Sequence, residues 1–261
     1  MASRKILQRT CFIGVVLLVL GSVGNARLVG YQASSLTNST LWSIDLETCE
    51  QIGIGVTGVT SVRAMDISPD DGHLYGVSYS SLYRFDTESG LGTLLADDIL
   101  PYGAKSMSFA PDGRLFVLNS IQDESTLYLI DMGSGTASEI GTLPPYTNIT
   151  AFAIDAEGRG IAWSNASAWL IEINLADGAT TSLGHMSGGF EAFDYAPDGT
   201  LYATSYLQLW IVDPDERTST CIGSFDMASS MYAFTVVPEP TTIALLGLGL
   251  LFLRRRCKAS T

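Results

Sequence analysis

The sequence predicts an all-β protein: a five-bladed β-propeller closed by a C-terminal strand, with a targeting segment at each end. Three observations lead there. A pattern repeats about every 42 residues, turn residues recur at fixed offsets inside each repeat, and leftover strands at the two chain ends complete one another.

The repeat is carried by the pattern Leu–x–x–apolar–Asp/Asn. It occurs at Leu41–Asp45, Leu82–Asp86, Leu127–Asp131, Leu170–Asn174 and Leu209–Asp213, with last residues 41, 45, 43 and 39 apart. An apolar strand ending in a tight turn precedes four of the five. Those turns are Pro69-Asp70-Asp71-Gly72, Pro111-Asp112-Gly113, Ala156-Glu157-Gly158 and Pro197-Asp198-Gly199. Proline presets φ and glycine supplies the positive φ that such turns require. A third element is an apolar residue followed by glycine: Ile52-Gly53, Ile140-Gly141, Leu183-Gly184 and Ile222-Gly223. Each unit thus reads as four short strands rich in β-branched and aromatic residues. Call them a to d in chain order. Four strands per repeat of this length is a propeller blade.

Four complete units run from about residue 61 to 227. Before them stand only strands b, c and d, from Leu28 to Gly53. After them stands only a strand a, Tyr232–Val236, in register with Phe193 through Phe234. Joined, they form a fifth blade and hide both terminal edges, which an open array exposes. The phrases Asp-Gly-x-Leu-Tyr and Leu-Tyr-x-Ile-Asp resemble those of the YVTN, NHL and quinoprotein-like propeller families, a resemblance carried by blade mechanics.

Charge narrows the partners. Residues 27–237 hold 26 acids against 7 bases, a net of −19. Duplex binding rests on neutralising phosphates, so this body excludes nucleic acid and is repelled by anionic lipid surfaces.

Both ends read as targeting signals. Arg4, Lys5 and Arg9 precede an apolar run from Cys11 to Gly21, and Ser22–Ala26 offers small residues for cleavage after Ala26. Residues 1–26 therefore read as a secretory signal peptide. The other end reads Val237-Pro238-Glu239-Pro240, then the apolar run Thr241–Leu253, then Arg254-Arg255-Arg256. A helix over that run spans roughly 20 Å, marginal for a bilayer. Residues 238–261 resemble the PEP-CTERM protein-sorting domain of Gram-negative bacteria. The resemblance implies an exosortase as processing partner and a transient single-pass membrane form. It also implies delivery to the cell surface or the extracellular polymer, with no other membrane attachment.

Candidate sites are few. Cys49 and Cys221 fall in blades 1 and 5, neighbours at the closure, so a disulfide between them would lock the ring in an oxidising compartment. No Cys-x-x-Cys, Gly-x-Ser-x-Gly or Gly-rich phosphate loop occurs. His73 and His185, alone, make neither a triad nor a metal site. Asp66, Asp155 and Asp194 recur on strand a, where they face the channel as Ca²⁺ ligands or bond within the blade; no other cofactor is expected. Aligning the units brings Arg63, Lys105, Thr150, Glu191 and Tyr232 to one position, at the start of strand a. They should ring one mouth of the channel, where propellers bind ligands. The reading is a secreted, non-enzymatic binding module for extracellular polysaccharide or a surface protein. Two alternatives stand: a lactonase-like hydrolase or lyase using a divalent cation in the channel, and a purely structural surface protein.

Overall fold

The computed structural model describes residues 29–34, 38–121, 124–226 and 231–237, and every regular element among them is a strand. The signal peptide and the sorting segment beyond Val237 lie outside the described residues. Five four-stranded antiparallel sheets form the blades. Blade 1 combines β20 (Met231–Val237) with β1 (Val29–Ser34), β2 (Thr40–Asp45) and β3 (Gln51–Val56). Blade 2 is β4 (Val62–Ile67), β5 (Leu74–Ser78), β6 (Ser81–Phe85) and β7 (Gly92–Ala96). Blade 3 is β8 (Ala104–Phe109), β9 (Leu115–Ile121), β10 (Glu124–Asp131) and β11 (Thr136–Thr142). Blade 4 is β12 (Ile149–Ile154), β13 (Gly160–Ser164), β14 (Trp169–Ile173) and β15 (Thr180–His185). Blade 5 is β16 (Ala192–Tyr195), β17 (Leu201–Ser205), β18 (Gln208–Asp213) and β19 (Thr218–Ser224). The expected closure is present: Gly30 pairs with Val236, Tyr31 with Thr235 and Ala33 with Ala233.

The repeated pattern has a mechanical explanation at each position. Its leucine is buried in every blade, and so is its second apolar residue: Ile44, Phe85, Ile130, Ile173 and Val212. Its terminal carboxylate or amide caps the turn into the outermost strand. Asp45 accepts the N–H groups of Glu47 and Thr48, each at 2.8 Å. Asp86 accepts those of Glu88 and Ser89, and Asp131 those of Gly133 and Ser134. Asn174 and Asp213 repeat the arrangement. An Asx cap of this kind holds the turn at little entropic cost. The glycines of the Pro-Asp-Gly turns adopt positive φ, from 70° at Gly72 to 86° at Gly199.

The core is divided. Five apolar clusters are each shared by two adjacent blades, around Val77 and Phe109, Phe116 and Phe152, Trp163 and Phe193, Tyr202 and Phe234, and Leu41 and Phe85. A blade therefore cannot bury its faces alone, and the ring must close for the last pair to form.

The apolar–Gly element needs one correction. In each blade the strand d residue opposite the motif leucine follows a bulge; these residues are Gly55, Ala96, Gly141, Gly184 and Gly223. In blade 1 the equivalent glycine is thus Gly55, and Gly53 faces the Trp42 ring. The doubled Ile-Gly of Ile52–Gly55 hid the register. A Cβ at Gly141 would lie 2.6 Å from the Asp177 carbonyl oxygen of the next blade's c–d turn. Gly55 meets Ser89 and Gly90 in the same way, Ala96 meets Gly135, Gly184 meets Arg217 and Gly223 meets Cys49. Small residues here let each blade seat against its neighbour's turn.

Candidate functional site

The innermost strands carry polar groups at two levels. The first is the mouth predicted from sequence. The register of strand a slips between Val62 and Ala64, between Ala104 and Ser106, and between Ile149 and Ala151. Arg63, Lys105 and Thr150 are therefore bulge residues. In blade 1 Ala33 pairs with Ala233 but Ser34 with Met231, which puts Tyr232 at the corresponding position. Bulges re-aim side chains. These turn Arg63, Lys105 and Thr150 toward the same pocket of about 120 Å³, which Glu191 completes. Glu191 lies just ahead of β16, its N–H bonded to the Thr204 carbonyl at 2.8 Å. Burial pushes its carboxyl above the usual range, while the fields of Lys105 and Arg63 pull the other way. The Thr150 hydroxyl donates to the Phe190 carbonyl at 2.5 Å. Four of the five predicted ring residues thus line one pocket. Of Tyr232, the register fixes the position.

The second level lies deeper and was only half visible in sequence. Asp66 and Asp194 sit at matching positions on β4 and β16, and both are buried. Asp66 accepts the Phe109 N–H of the next blade at 2.7 Å, and Asp194 accepts the Val236 N–H of the next blade at 2.6 Å. The Ser108 hydroxyl accepts the Ile154 N–H in the same role at 3.1 Å. With Thr235 of the closing strand counted, side chains at this position bridge four of the five joints between blades. Thr235, on the closing strand, joins the two carboxylates. Its hydroxyl lies 2.7 Å from Asp194 and 3.3 Å from Asp66. The shorter contact is the stronger bond, so the hydroxyl proton is directed chiefly at Asp194. Burial raises Asp66 to about 6, against the hydrogen bonds it accepts. It also raises Asp194 well above the usual range, helped by the charge of Asp66.

Asp155 does not belong with this pair. It follows β12 and caps the turn there, accepting the Glu157 and Arg159 N–H groups. The residue matching Asp66 in that blade is Ala153, so Asp155 lies two residues too far along. Among the described residues no three His, Cys, Asp or Glu side chains converge as a metal-binding group. His185 ends β15 and meets Trp169 edge to face at 6.4 Å. Cys49 and Cys221 are thiols in this structure, Cys49 buried and Cys221 exposed.

Sequence reasoning missed a larger cavity of about 820 Å³ at the channel's opposite end. Turns from four blades line it, with Pro69, Pro111, Pro197 and Pro214 on its wall and the Asp66–Asp194 pair at its floor. Arg159 on its rim is held by Glu172 at 2.7 Å and Asp215 at 3.2 Å. The three Pro-containing turns were the available signal, since they converge on one face of any closed ring.

Residues 236–256 match the PEP-CTERM protein-sorting motif, a substrate signal for an exosortase. The chain is therefore a secreted or surface protein with a β-propeller body. Among curated proteins no sequence matches it. Among solved structures, a chain of a nidogen/laminin complex superimposes with a TM-score of 0.58 at 11% identity, over 81% of this chain and 98% of that one. TolB from Acinetobacter baumannii does so with a TM-score of 0.52 at 12% identity, over 86% of this chain and 70% of that one. Likeness at such identity is likeness of fold alone. At the level of sequence, residues 32–205 match the model of the repeat of unknown function DUF6923, and the chain belongs to that family.

Proposed function

We propose that the propeller is a binding module that seats an acidic group of an extracellular ligand at the Arg63–Lys105–Thr150–Glu191 mouth. The observation that supports it is the repeated bulge. Three equivalent bulges turn three different polar side chains into one pocket, and two of them are cations in a body of net −19. A pocket of about 120 Å³ fits one carboxylate or sulfate rather than a whole sugar ring. The acidic body repels dense polyanions at long range. The ligand therefore carries isolated acid groups on an extended polymer, in keeping with the surface address.

Glu191 sets the pH response. Its raised pKa means that acidification removes the one negative charge at the seat, so affinity for an anion rises as pH falls toward the carboxylate range.

The test is binding of the purified protein to acidic and neutral polysaccharides. Arg63→Ala and Lys105→Ala should each weaken acidic-polymer binding by about tenfold, as expected for one lost charge contact. Asp215→Asn, on the far rim, should leave it unchanged. A second reading, favoured by volume, seats the ligand in the 820 Å³ cavity. The opposite pattern among those variants would establish it.

A further inference from the structure

The closing joint between blades 5 and 1 carries both cysteines of the described residues. At the left-handed position of the c–d turn, blades 2, 3 and 4 place Gly90, Gly135 and Gly178, with φ of 81°, 68° and 74°. Blades 1 and 5 place Cys49 and Arg217 there, both with φ 58°. A β-carbon is disfavoured in that conformation, and each of these two side chains packs on the bulge glycine of the preceding blade, Gly223 for Cys49 and Gly184 for Arg217. Cys49 is seated against Gly223 of blade 5, where a β-carbon would strike its Sγ. Cys221 stands two residues earlier on β19, its Sγ 3.5 Å from the Gly223 carbonyl oxygen. Both sulfurs therefore flank the same glycine, one from each side of the joint.

We propose that Cys49 and Cys221 form a redox clasp that locks the ring across its closure once the protein is exported. Cys221 is exposed and Cys49 buried, which orders the steps. The Cys221 thiolate attacks the disulfide of an oxidised thiol carrier, releasing one carrier thiol and leaving a mixed disulfide. The Cys49 thiolate then attacks Cys221 Sγ and expels the second carrier thiol. Two S–H protons leave to solvent or to the carrier thiolates, and two electrons pass to the carrier. Burial, then the nearby Cys221, pushes the Cys49 thiol up, so ring closure by Cys49 is the slower, base-accelerated step.

The experiment equilibrates the full-length protein with oxidised glutathione, blocks remaining thiols and digests it with trypsin without reduction. No Lys or Arg falls within 29–62 or within 218–253, so the two cysteines lie on separate peptides, 28–63 and 218–254. Recovery of these two as one linked species, split by dithiothreitol, is expected. The linkage should raise Tm by about 5–15 °C relative to the reduced protein, the range for a disulfide closing a long loop in a domain of this size. Cys221→Ser should show neither the link nor the shift. Recovery of both peptides unlinked, or linkage between two chains or to Cys11 or Cys257, would overturn the clasp.

Discussion

Blade 1 differs from blades 2 to 5 in how its strands come together. In the other four, strands a to d follow one another through short turns. In blade 1, Val29 pairs with Val237 across nearly the whole body. Loop entropy grows slowly with length, so bringing these ends together costs only about 3 kcal/mol more than closing a ten-residue loop. The difference teaches where the ring is held. Blades 3 and 4 are bridged along the innermost strands by two serine hydroxyls, Ser106 to the Phe152 carbonyl and Ser108 from the Ile154 N–H. The joints around β20 carry Asp194, Thr235 and Asp66 in sequence. The two buried carboxylates stand on the blades that flank the discontinuous one.

The sharpest way to break the comparison is to remove β20. A chain ending at residue 230 loses the innermost strand of blade 1, and with it the Tyr202–Phe234 cluster shared with blade 5. A chain ending at Val237 keeps both. The longer form should melt cooperatively, while the shorter should aggregate or melt lower by tens of degrees, as loss of several buried side chains implies. Equal melting temperatures would mean that blade 1 contributes nothing to closure. A smaller version is Phe234→Ala. Phe234 is 2% exposed, and its truncation should cost about 3–5 kcal/mol in urea unfolding.

Much of this was legible in sequence because a propeller repeats its mechanics. The blade count, the strand order and the closing partner followed from five copies of one pattern. Four of the five mouth residues share a pocket because the alignment that equates them is the alignment of the bulges. What escaped was whatever depends on register within one blade. Gly53 was read in place of Gly55 because two Ile-Gly pairs adjoin. Asp155 was grouped with Asp66 and Asp194 because a turn and a strand end differ by two residues. The far cavity escaped because it belongs to four turns at once.

The inner carboxylates give a third contrast, read through pH. Asp66 and Asp194 have raised pKa values in the fold and ordinary ones in the unfolded chain. The folded state then holds extra protons between about pH 4 and about 6, and stability falls as pH rises through that window. The exposed caps Asp86, Asp112 and Asp131 sit below the usual range, chiefly through hydrogen bonds from their own turns, and act only at lower pH. The wild-type protein should therefore lose on the order of 2 kcal/mol between pH 4.5 and 7.5. Asp194→Asn keeps an acceptor for the Val236 N–H and removes the charge, so it should flatten that slope. An unchanged slope would show that the pair does not govern it.

The smallest effect separates the outer contacts. At the joint of blades 3 and 4, backbone seats on backbone: a β-carbon at Gly141 would lie 2.6 Å from the Asp177 carbonyl oxygen and 3.7 Å from the Gly178 Cα. Neither can yield without moving a capped turn. At the closing joint a β-carbon at Gly223 would instead meet the Cys49 side chain, chiefly its Sγ. A thiol swings about one bond, so the second clash relaxes far more cheaply. Gly141→Ala should destabilise by about 1–3 kcal/mol, as overpacking does, and Gly223→Ala in the reduced protein by under about 1 kcal/mol. Cys49→Gly should abolish the smaller penalty and leave the larger one untouched, because the two joints lie far apart and their effects add. Equal costs for the two alanines, unaffected by Cys49→Gly, would mean that the thiol joint is as rigid as the backbone joints.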